Sequence, residues 1–205
     1  MISINNLQLG PPTILINNAA IVNGKPLLDL SIEEIERNFH VNLLSHFYVL
    51  KNFLPGIMRA GQGTIVTISS VLGQIGAAHL SDYAAAKAGI TAMHKSLAAE
   101  LKSTPNIKTI LVSPGQLTTP LFTGVQTPNS FFAPVLEPVD VAKEVIAAID
   151  GGSSTELAMP LYARWIDWMN VMPVGVQTIM RKMSCVDSGM KGFVGRGEGE
   201  KEPLI

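Results

Sequence analysis

Tyr83 and Lys87 stand four residues apart, the spacing that puts two side chains on one face of a helix. An ammonium beside a phenol favours the phenolate and is expected to lower the tyrosine pKa from about 10. Such a pair supplies a general acid or base that works near neutral pH. Ser70 lies thirteen residues before Tyr83, at the end of the segment GTIVTISS. Asn42 interrupts an apolar stripe upstream, and Asn17-Asn18-Ala19-Ala20 closes the first apolar run.

These residues need elements to position them. Ile14-Leu15-Ile16 is β-branched and apolar on both faces, which reads as a buried strand. Ser31 followed by Glu34 is a capping-box signature for a helix ending near Pro55-Gly56. Gly63 to Ile68 reads as a second strand. A helix from about Asp82 to Leu101 carries Ala86, Ile90, Met93, Leu97 and Leu101 along one stripe. Ile107 to Val112 is a third strand, Asp140 to Ile149 a short helix and Glu156 to Met159 a weak fourth strand. The Pro-rich stretch from Gln116 to Pro138 is a long excursion of the kind that usually carries function. Strands alternating with helices predict a parallel α/β sheet covered on both faces. Strand ends in such a sheet are where ligands bind.

The motifs ILINNAA, HVNLLSHF, GTIVTISS, YAAAK and SPGQLTTP, in this order, resemble those of the short-chain dehydrogenase/reductase family from about Pro12 to Met159. The later part is similar to members acting on retinol and 17β-hydroxysteroids. The resemblance implies catalysis by Asn42, Ser70, Tyr83 and Lys87. Tyr83 would donate or accept the proton, and Ser70 would bond the substrate oxygen. Lys87 would hold the nicotinamide ribose, and Asn42 would position a water that links Lys87 to solvent. Asn17, Ala19, Pro114, Gly115 and Thr119, together with Tyr83 and Lys87, would bind NAD or NADP. The reaction implied is alcohol/ketone interconversion.

The family pattern also places three strands and a glycine-rich turn before the strand at Ile14. No such turn lies upstream here, and Gly195, Gly197 and Gly199 follow no strand. The expected fold is therefore an incomplete doubly wound parallel sheet, Rossmann-like, lacking its first three strands. Residues 1–188 would form its C-terminal part, with an apolar segment over 156–183 and a flexible tail over 189–205. The Ile14 strand would become an exposed edge. Two readings follow: an NAD(P)-dependent enzyme with an incomplete cofactor site, or a non-catalytic chain that acts as an interaction or dimerisation partner. Small residues over 84–101 would suit a homo-oligomer.

Composition narrows the classes. At 205 residues, 47% apolar and 15% charged, the chain can bury a core and is not a disordered polypeptide. A net charge of −1 gives no basic footprint for nucleic acid. Cys185 is the only cysteine, which excludes an internal disulfide and a cysteine-rich metal site. His40, His46, His79 and His94 have no ligand-like spacing and are expected to be structural. Ser70, His79 and Asp82 lack the G-x-S-x-G elbow of a hydrolase. Six of the nine methionines and both tryptophans lie beyond residue 158, which suits an adaptable pocket for a hydrophobic alcohol or ketone. Tryptophan beside Arg181 and Lys182 also suits contact with a membrane surface, the endoplasmic reticulum or a lipid droplet. The expected location is intracellular, in the cytoplasm or peripheral on such a membrane.

Overall fold

The computed structural model describes residues 10, 12–125, 134–184 and 186–194; Cys185 and Gly195 to Gly199 lie outside them, as do the side chains of Met169 and Lys191. Four parallel strands, β1 (Ile14–Asn17), β2 (Gly63–Ile68), β3 (Ile107–Pro114) and β4 (Thr155–Met159), pair in the order β1-β2-β3-β4. Each strand runs into a crossover helix before the next, as parallel pairing requires. The sheet is the doubly wound α/β arrangement expected from the sequence.

In β2, Ile65 and Val66 point to opposite faces, and both are fully buried. Ile65 joins Leu50, Ile57, Leu97, Leu101 and Ile107 in one core. Val66 joins Ile110, Val112, Val141 and Val145 in another. The first core is supplied by α2 (Ser45–Ala60) and α4 (Ser81–Glu100), the second by α5 (Pro138–Asp150). β1 differs. Leu15 packs on the first core, but Ile14 and Ile16 are 47% and 52% exposed, so this strand is an edge with one bare face among the described residues. The exposed edge expected for this strand is what the structure shows, and the simpler reading of it as buried on both faces gives way, because apolarity alone does not tell which face a helix covers.

Helix α1 (Ile32–Phe39) opens with the expected capping box. Glu34 N–H donates to Ser31 Oγ at 3.2 Å, and Ser31 N–H donates to Glu34 Oε2 at 3.0 Å. It passes through one π turn, His40–Leu44, straight into α2. Pro55 does not end this rod. It sits on the water side above exposed Lys51, where an unpaired carbonyl can be solvated, while buried Ile57 anchors the final turn. The helix closes at Gly61, whose φ of 70° favours glycine.

Beyond β4, α6 (Ile166–Val171) and α7 (Val174–Ser184) carry the methionine- and tryptophan-rich segment. Ala163 and Ile166 are buried against Val71, but no residue of α7 is buried. Of the tail expected to be flexible over 189–205, Gly189–Gly192 form a 3-10 turn that buries Met190 against Leu80 and Tyr83. No described helix is long and apolar enough to cross a membrane.

Candidate active site

The C-terminal ends of β1, β2 and β3 open onto one cavity of about 830 Å³. Its lining includes Ala19, Ser70, Tyr83, Lys87, Pro114, Gly115 and Thr119. Seven of the nine residues singled out from the sequence therefore face one space. The other two, Asn17 and Asn42, stand behind it. Asn17 is buried at the end of β1, and its Nδ2 finds no partner among the described residues.

Asn42 occupies the π turn and is fully buried. Its Oδ1 accepts from Ile21 N–H at 2.8 Å, and its Nδ2 donates to Ile21 O at 2.9 Å and to Asn38 Oδ1 at 2.9 Å. Both amide hydrogens are thus spent. The side chain works as a clamp on the backbone of the segment that follows β1. His46, one turn on, meets Ala19 O at 3.3 Å and holds the same segment.

Tyr83 and Lys87 project from α4 beneath this segment, 3% and 1% exposed. Lys87 Nζ donates to Ile68 O at 2.8 Å and lies 5.8 Å from the centre of the Tyr83 ring. Tyr83 stacks edge-on against Phe122, with centroids 5.8 Å apart. Burial pushes the Tyr83 phenol up to about 12, with the hydrogen bond to Ser70 pulling the other way. Burial also pushes Lys87 down to about 8. The lowered tyrosine pKa expected from helical spacing is therefore corrected. In a dry site the penalty on the phenolate outweighs an ammonium that lies over the ring and is tied to a carbonyl.

The depth of Lys87 is set by a polar seam between β2 and α4 that the sequence reading passed over. Thr67 and Ser69 share one face of the strand. Thr67 Oγ1 meets His94 Nδ1 at 2.8 Å; Ser69 Oγ meets Thr91 Oγ1 at 2.7 Å and donates to Lys87 O at 3.1 Å. Strand spacing of two against helix positions 87, 91 and 94 was the available signal. Gly73 completes the fit. A Cβ there would come within 2.8 Å of the Lys87 carbonyl carbon and of Ala88 N, so only glycine lets α3 (Leu72–Ile75) rest on α4 at the lysine.

Ser70 follows the seam into the cavity, its Oγ accepting from Leu72 N–H at 3.1 Å. Opposite it, Gly115 makes room for the Tyr162 hydroxyl, which would stand 2.9 Å from a Cβ at that position. The remaining wall is apolar and includes Leu121, Phe122, Trp165, Met180, Met183 and Met190. The geometry can do one thing directly: present a buried phenol and a serine hydroxyl to a polar group on an otherwise apolar molecule.

Comparison with known proteins agrees with this arrangement. The family model described as short chain dehydrogenase matches residues 5–129. An uncharacterized oxidoreductase, TDA5, of Saccharomyces cerevisiae is 30% identical over 177 residues, covering 85% of this chain and 54% of its own. Retinol dehydrogenase 10 of Homo sapiens is 38% identical over 146 residues, covering 69% and 43%. Among solved structures, a 4-hydroxyisoleucine dehydrogenase complexed with NADH and succinate superposes with a TM-score of 0.61 at 26% identity, over 71% of this chain and 66% of that one. The chain spans about half the length of the curated relatives it matches. With its parallel sheet, its strand-end cavity and this family match, the chain belongs to the short-chain dehydrogenase family.

Proposed function

We propose that this chain carries the catalytic residues of an NAD- or NADP-dependent oxidoreductase that interconverts a lipophilic alcohol and its carbonyl. The observation that carries the reading is the convergence of Ser70, Tyr83 and Lys87 on one apolar cavity at the strand ends. The relatives named retinol dehydrogenase and the neighbour complexed with NADH support the substrate class and the cofactor class.

The donor set suits the nicotinamide-ribose end of such a cofactor. An ammonium has three N–H donors, and buried Lys87 gives one to Ile68 O, which leaves two for ribose hydroxyls. Tyr83, Pro114, Gly115 and Thr119 would complete the cradle. When bound, the dinucleotide supplies or removes the hydride. Tyr83 holds the proton at its phenolic oxygen and passes it to, or takes it from, the substrate oxygen. The Ser70 hydroxyl orients that oxygen by a hydrogen bond. Phe122, Met180 and Met183 exclude water and accept the apolar body of the substrate. Exposed Trp165 and Trp168 beside the cavity favour delivery of substrate from a membrane or lipid-droplet surface.

Retinol with NAD or NADP is the direct assay. Formation of reduced nicotinamide that depends on the chain bears the reading out; no turnover with either cofactor rejects it. One observation favours the second reading, a non-catalytic interaction partner: among the described residues β1 pairs only with β2, so its other backbone edge is open to a partner strand, with Ile14 and Ile16 exposed beside it. In that case retinol and cofactor stay unchanged, while Ile16→Lys abolishes association with the partner.

A further inference from the structure

Helix α4 begins without a capping side chain, since its N-cap residue is Leu80. The carboxylate of Asp82, in the first turn, takes over. Asp82 Oδ1 accepts from Tyr83 N–H at 2.8 Å, and Oδ2 accepts from Asn23 Nδ2 at 2.7 Å. The same Asn23 nitrogen donates to Glu34 O at 3.1 Å, so both its hydrogens are used. Asp82 is only 4% exposed, and a carboxylate that dry requires firm donors. Asn23 ends the segment whose residues Asn18 to Ile21 line the cavity and which Asn42 and His46 grip from the other side. Asp82 is therefore where that segment meets the helix bearing Tyr83 and Lys87.

We infer that Asp82 is a positioning residue: through Asn23 it locks the segment after β1 onto the start of α4, and so sets how deeply the Tyr83 hydroxyl sits in the cavity. A plain helix cap would need only the bond to Tyr83 N–H. The second oxygen, spent on Asn23, is what distinguishes a bridge from a cap.

The inference rests on Tyr83 being the proton-transfer group, but its test does not need turnover. Ultraviolet difference titration of the 205-residue chain reads the phenols directly, with Tyr83→Phe identifying the Tyr83 component. Asn23→Ala cuts the bridge and leaves the cap. It should admit water to Tyr83 and bring its ionisation down by about one pH unit, toward the ordinary value near 10. Asp82→Ala should bring it down further. A Tyr83 titration unchanged in Asn23→Ala overturns the bridge, and a shift confined to Asp82→Ala reduces Asp82 to a cap and overturns it too. Should Asp82→Ala fail to fold, Asn23→Ala decides alone. Absence of turnover in the wild type would reject the enzymatic reading and leave this titration to judge the bridge.

Discussion

Two walls enclose the cavity, and they are held by opposite means. The inner wall, β2 against α4, is locked by buried side-chain hydrogen bonds from Thr67, Ser69, Lys87, Thr91 and His94. The outer wall, α6 and α7, leaves Trp168, Val171, Val174 and Ile179 exposed by 59% or more. It is fastened chiefly through Arg181, which donates to Ile75 O at 2.8 Å and pairs with Asp187, and through Asn170, which donates to Gln74 O at 3.2 Å. Fixed polar geometry surrounds the proposed chemistry, whereas adaptable methionines and few anchors surround the proposed substrate. The difference teaches where a sequence must be exact and where it only needs to be oily: a misplaced phenol loses its reaction, but a methionine wall can refit.

The largest expected effect loosens with acid both the inner wall, through His94, and the segment after β1 that His46 holds. Burial pushes His46 and His94 down to about 4, below their ordinary value of 6.5. The unfolded chain therefore binds more protons between these values, and stability falls as pH drops from 6.5 toward 4. Each histidine should remove about 2–3 kcal/mol by pH 4.5, and His94→Gln should cancel roughly half of the combined loss. Urea unfolding at pH 7 and pH 4.5 measures this.

Lys87→Met comes next. With Lys87 near 8 in the folded protein and an ordinary value of 10.5, the fold bears the full cost of a buried ammonium below pH 8, and that cost fades as pH rises through 10.5. The variant should be about 1–3 kcal/mol more stable at pH 7 after the lost bond to Ile68 O is counted, with the gain shrinking at alkaline pH. A less stable variant at neutral pH would mean that the lysine is no burden to the fold.

Arg181→Ala is the smallest change and sharpens the contrast. Global stability should move by less than about 1 kcal/mol, because the pair with Asp187 is partly open to solvent and screened there. Hydrogen exchange over residues 174–184 should rise roughly tenfold while α4 stays protected. Equal acceleration of both helices would show that the two walls are one cooperative unit.

The fold was legible because its signals are local: β-branched runs for the strands, Ser31 with Glu34 for the helix start, an apolar stripe from Ala86 to Leu101 at helical spacing for α4. Pro55 misled because the rule for ending a helix ignores which side faces water. The gathering of Tyr83, Lys87 and Ser70 at one cavity was legible too, because their motifs, in order, resemble those of a known family. The supporting shell was not. Asp82, Asn23, His94 and Thr67 act across separations that only the folded register brings together, such as the 59 residues between Asn23 and Asp82. The direction of the Tyr83 shift was hidden for the same reason, as spacing reports a neighbour's charge but not the dryness of the place where they meet.

The central claim is that the Tyr83 hydroxyl carries the proton in a cavity that separately binds an apolar substrate. Retinol turnover by wild type and Tyr83→Phe, with retinol affinity read from tryptophan fluorescence beside the cavity, tests it most directly. The account predicts a loss in kcat of about 10²–10⁴-fold with affinity unchanged within about twofold. A Tyr83→Phe variant that turns over at the wild-type rate would contradict it.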